Sequence, residues 1–185
     1  MSVQKELRWT TRSARQVRIP VQGVTWIVCR YDGGGEGDFD SLRVPGKENE
    51  SQGLLCYISQ PSEFKGLVRK GESFETIGPV AFSFNTVKET EYPSCFDAYN
   101  EMGGERVVGV TLEQVLTALA AQIRCEVRIL TVEGATANRF FVTVGRDLIL
   151  VTVKWTGQSW SMHITRDLNV GSLLPGDRIL YQVRP

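Results

Sequence analysis

Residues 110–165 read VTLEQVLTALAAQIRCEVRILTVEGATANRFFVTVGRDLILVTVKWTGQSWSMHIT, and this stretch decides the fold. It opens on a helix signature. Thr111 is an N-cap residue type, and Gln114, three positions on, closes a capping box in which each side chain takes an otherwise unpaired backbone amide. Val110 and Val115 stand where a hydrophobic staple fixes the angle at which the chain joins the helix. Leu112, Val115, Leu116, Leu119 and Ile123 recur at three- and four-residue steps, which predicts an amphipathic helix over 111–124 with one apolar stripe.

That stripe needs a surface to pack on, and the following residues supply a sheet. Segments 126–132, 139–144, 147–155 and 159–165 are rich in β-branched and aromatic residues, which suit a pleated, half-buried surface. Gly145-Arg146 fits a two-residue turn with glycine at positive φ, and Thr156-Gly157-Gln158 a three-residue hairpin loop, so consecutive strands become antiparallel neighbours. From Leu148 to Val153 only Thr152 is polar, which predicts a strand covered on both faces near the centre of the sheet.

Outward from this unit the signals shorten. Strands are expected near 16–21 and 24–31 with Gly23 at the turn, at 54–59, and as a short pair over 74–84 broken at Gly78-Pro79. Residues 32–52 read as one long polar loop, 64–70 as a single helical turn, and 86–104 as irregular, punctuated by Tyr92-Pro93 and Gly103-Gly104. Segment 106–110 reads as a strand leading into the helix. Near the end, Leu174-Pro175-Gly176-Asp177 places proline and glycine at the central positions of a type II turn, and 178–184 alternates Ile179, Tyr181 and Val183 inward. About nine strands against one helix predict an α+β domain, predominantly antiparallel β, closed as a barrel or split as a sandwich. The division expected is a basic arm or first element at 1–20 and a single β-rich domain at 21–185.

The 185 residues are 42% hydrophobic and 23% charged, with no net charge, which fits a soluble globular chain rather than a disordered or membrane-embedded one. Lys5, Glu6, Arg8, Arg12 and Arg15 leave no room for the apolar core of a secretion signal, and uncharged apolar runs fall well short of the roughly 18–20 residues that span a bilayer. A soluble cytoplasmic protein without membrane contact is the expectation. Cys29, Cys56, Cys95 and Cys125 form no CxxC pair, so neither a zinc site nor a redox motif is signalled.

Charge is segregated. Lys5, Arg8, Arg12, Arg15 and Arg18 face only Glu6 within residues 1–20, a net of +4, and the first four recur at helical spacing. Such a stripe could lie along phosphates with Trp9 stacked on a base, the nucleic-acid-binding alternative. Between 32 and 50, Asp32, Glu36, Asp38, Asp40, Glu48 and Glu50 outweigh Arg43 and Lys47, a net of −4, so the arm of one subunit could meet the loop of the next. Asp32, Glu36, Asp38 and Asp40 are also oxygen ligands on glycine-rich backbone, but their spacing does not complete an EF-hand. No Lys-Ser/Thr follows the glycines to make a phosphate cradle.

Catalytic signatures are sparse. His163 is the only histidine, and its strand alternation with Trp160, Met162 and Ile164 turns it away from their apolar side, beside Ser161 and Thr165. A cysteine hydrolase or transferase would need a thiolate near it, and Cys95, in the turn-rich 92–97 segment, is the most accessible candidate by sequence. A carboxylate pair could serve instead, although sequence alone selects none. The reading favoured is a non-enzymatic protein-interaction or assembly module of the viral or phage structural type, oligomeric, with no cofactor, resident metal or membrane. A protein partner or self-association is expected.

Overall fold

The computed structural model describes residues 9–10, 17–19, 25–29, 41–44, 54–59, 73–75, 80–88, 94–123, 128–170 and 172–183, with side chains described for 81–88, 94–122, 128–170 and 172–183. The described residues include twelve strands: β1 Trp9–Thr10, β2 Val17–Ile19, β3 Thr25–Cys29, β4 Ser41–Val44, β5 Leu54–Ser59, β6 Ser73–Glu75, β7 Val80–Val87, β8 Gly109–Val110, β9 Asn138–Val144, β10 Asp147–Trp155, β11 Trp160–Thr165 and β12 Arg178–Gln182. Three helices accompany them among the described residues: α1 Cys95–Glu101, α2 Glu105–Val108 and α3 Leu112–Ile123.

All twelve strands join one open sheet in the order β1-β7-β12-β9-β10-β11-β5-β4-β3-β6, with β2 also on β7 and β8 also on β9. The expected barrel or two-sheet sandwich is therefore replaced by a single sheet whose ends do not meet among the described strands. Most ladders are antiparallel, as expected. Three are parallel: β5 with β11, β9 with β12, and β8 with β9. Parallel neighbours require a crossover, and α3 provides it between β8 and β9, an alternation of strand, helix and strand that sequence reading did not anticipate.

At β9, β10 and β12 the sheet is covered on both faces, which explains the continuous apolar run of β10. On one face Phe140 and Val142 of β9, Ile149, Val151 and Val153 of β10, Met162 and Ile164 of β11 and Leu180 of β12 share a core with Val115, Leu116 and Leu119 of α3. On the other, Phe141, Leu150 and Ile179 pack with Cys95, Ala98, Tyr99 and Met102 of α1 and its C-cap, Val108 of α2, and Leu168 and Leu173. Successive residues of β10 thus belong to different cores. In β12 the same double cover buries Leu180 as well as Ile179, where inward alternation of Ile179, Tyr181 and Val183 was expected.

Helix α3 begins as predicted. Gln114 Oε1 accepts from Thr111 N–H at 2.9 Å, and Thr111 Oγ1 accepts from Gln114 N–H at 3.3 Å. Its burial differs from a single stripe, because residues 115–121 are all buried. Ala118, Ala120 and Ala121 fill the positions outside the stripe, and their small side chains let neighbouring chain approach from the remaining sides. Thr117 is tolerated there because its hydroxyl donates to Glu113 C=O at 2.7 Å.

Several local expectations are corrected. Residues 129–132 are not a strand: Gln122 Oε1 accepts from Ile129 and Leu130 N–H, and Asn138 Oδ1 from Thr131 N–H, so side chains take the amides a ladder would have used. The hairpin loop after β10 has four residues, since Trp155 pairs with Trp160 and Thr156 N–H donates to Ser159 C=O. Segment 86–104 holds α1, whose N-cap Ser94 accepts from Asp97 N–H at 3.0 Å. Segment 106–110 is helical through Val108 before the short β8, because Gly104 C=O accepts from Val108 N–H at 2.9 Å. The loop expected over 32–52 contains β4. Residues 9 and 10 are extended, so no helix runs unbroken from Lys5 to Arg15. The helical turn expected at 64–70 lies outside the described residues.

Candidate functional site

A network of polar and charged side chains lies on the α1 side of the sheet, where β12, β9 and β10 run side by side. Strand register sets its first row. Ile179 of β12 stands beside Arg139 of β9, Arg139 beside Thr152 of β10, and Thr152 beside His163 of β11. The turn before β12, closed by Asp177 N–H to Leu174 C=O at 3.0 Å with Gly176 at φ 89°, delivers Asp177 to the edge of this row.

Asp177 is the hub. Its Oδ2 accepts from Arg139 Nε at 3.0 Å and from Leu174 N–H at 3.1 Å, and its Oδ1 accepts from Ala137 N–H at 2.9 Å. With its side chain 1% exposed, the carboxylate has three donors in place of water. The Arg139 guanidinium also donates to Thr152 Oγ1 at 2.7 Å. Beside it, Asn138 is wholly buried and binds Thr131 from both ends of its amide, donating in addition to Val153 C=O at 3.1 Å. Asp177 thus ties together segments 38 and 40 residues apart, while Asn138 and Thr152 tie segments 7 to 15 apart, a role in architecture.

Cys95 opens α1 in the core on this face and is fully buried. Burial pushes its thiol up to about 11, partly offset by Arg139 and reinforced by Asp177. At neutral pH the thiol therefore stays protonated, whereas nucleophilic chemistry needs the thiolate. Sequence reading took Cys95 to be the most accessible cysteine; the structure places it in the core. The charges acting on it are those of Arg139 and Asp177, not of His163. His163 is half-buried in β11, on the face predicted for it, opposite Thr152 and, across the parallel ladder, Ser59. Tyr99 also has its hydroxyl pushed up, by burial and then by Glu105.

Of the residues proposed for a partner or nucleic acid, Trp9 lies in β1 opposite Val87 and Arg18 in β2 opposite Ala81. Lys5, Arg8, Arg12 and Arg15 lie outside the described residues, as do the candidate metal ligands Asp32, Glu36, Asp38 and Asp40. No three histidine, cysteine or acidic side chains converge on a common point among the described residues. No described helix is long and apolar enough to cross a membrane. A shallow pocket of about 100 Å³ lies where β8 and β12 diverge along β9, lined by Glu105, Thr111, Gln114, Thr143 and Gln182 among others. Gln114 Nε2 donates to Gln182 Oε1 across it at 2.6 Å.

Arg139, Asn138 and Asp177 were missed from sequence. Asp177 had a legible signal in the Pro-Gly turn that carries it, but nothing local announced its partner. No protein-family model, no curated protein and no solved structure matches this chain.

Proposed function

We propose that this chain is a non-enzymatic protein-interaction or assembly module. The observation that carries the reading is the exposure to solvent of large apolar side chains on and beside α1 and α2. Phe96 is 45% exposed, Val107 45%, Leu174 48% and Val170 79%. The first and last belong to segments in contact, since Phe96 N–H donates to Leu168 C=O at 3.3 Å. Phe96 lies over Tyr99 with ring centroids 6.4 Å apart, which holds the outer ring in place rather than leaving it to fold inward. Contiguous exposed apolar surface marks contact with another protein, and Phe96 beside the 168–170 segment supplies the contiguous part here, Val132 before β9 being exposed separately.

The test is sedimentation velocity on the full chain over a range of concentrations, at low and high salt. The expected result is a species larger than the monomer, which the paired substitution Phe96→Asp and Val107→Asp returns to monomer while the urea midpoint stays within error of wild type. Self-association that survives this pair moves the contact away from α1 and α2 and overturns the surface assigned. A wild-type chain that remains monomeric throughout overturns self-assembly.

A further inference from the structure

We draw no further inference here: the strongest candidate, the exposed apolar side chains of Phe96 and Val170 where α1 meets the 168–170 segment, belongs to the surface already described, and nothing in the structure shows what covers it.

Discussion

Arg139 and Asp177, 38 residues apart in sequence, meet in a 3.0 Å ion pair whose members are 15% and 1% exposed, and the two sides of the pair are not equivalent. Asp177 has two further donors in the backbone of Ala137 and Leu174. Arg139 has, among the described residues, the Thr152 hydroxyl besides. Losing the acid therefore strands a nearly buried cation and two amides, whereas losing the base leaves the acid partly satisfied. Asp177→Ala is expected to cost about 3–5 kcal/mol, and Arg139→Met distinctly less. Urea denaturation of both variants checks the order, and equal losses would show that the carboxylate's backbone partners contribute nothing.

The Cys95 thiol gives a pH dependence whose sign follows from its environment. An unburied thiol titrates near 9.0, and burial takes Cys95 to about 11. Below pH 9 the thiol is neutral in both folded and unfolded chains, so its contribution is fully present. Between pH 9 and 11 the unfolded chain gives up the proton while the folded chain keeps it, and stability declines by about 2–3 kcal/mol over that window. Urea midpoints from pH 7 to 11 for wild type and Cys95→Ala separate this contribution from other groups. The variant should lose less stability on the alkaline side, and parallel curves would mean that the thiol is in contact with water.

The contrast between α3 and α1 shows which parts of the fold sequence could reveal. Thr111 and Gln114 make a capping box from residues three apart, and Leu112, Val115, Leu116 and Leu119 mark one face, so every signal for α3 is local. Helix α1 is seven residues long, too short to persist without help, and it lies between Tyr92-Pro93 and a pair of positive-φ glycines at 103 and 104. What stabilises it is burial of Cys95, Ala98 and Tyr99 against the sheet, with the Tyr99 ring 5.1 Å from that of Phe141, a contact 42 residues away in sequence. Only Ser94 with Asp97 gave a local hint. The stretch Ile129–Val132 failed in the opposite direction: its composition favours a strand, but Gln122 and Asn138 reach its amides first. The Arg139–Asp177 pair has the same character, being created by register between β9 and β12 and invisible before the sheet order is known.

Two glycines with different surroundings should respond differently to a methyl group. At Gly109 φ is ordinary, but an added Cβ would sit 2.7 Å from the Glu105 carbonyl oxygen and 3.0 Å from its Cα. Backbone of α2 cannot yield as a side chain can, so Gly109→Ala must displace the helix-to-strand junction. At Gly145 φ is +62°, yet nothing lies within 4 Å of the new atom, so Gly145→Ala incurs only the conformational cost of about 1 kcal/mol. Thermal or urea unfolding should rank Gly109→Ala as the more damaging, by about 1 kcal/mol or more. The reverse order would show that the α2–β8 junction has room to relax.

Gln114 couples the start of α3 to the last strand, because one amide serves both. Its Oε1 caps the Thr111 amide at 2.9 Å while its Nε2 donates to Gln182 Oε1 at 2.6 Å. Thr111→Ala removes only the reciprocal half of the cap and should cost about 1 kcal/mol, with Thr111→Ser recovering most of it. Gln114→Ala removes the other half of the cap and the tie to β12 together, and should cost about 1–2 kcal/mol. Gln114→Glu separates the two roles: a carboxylate still accepts from Thr111 N–H and favours the helix N-terminus, but it faces the Gln182 oxygen without a proton to donate. Flipping the Gln182 amide would restore a donor toward it, so Gln114→Glu should fall close to wild type in Gln182 chains and retain its stability less well when combined with Gln182→Leu. Hydrogen exchange at the Thr111 amide gives the site-specific readout. Protection that survives Gln114→Ala unchanged would show that the box does not hold the helix start.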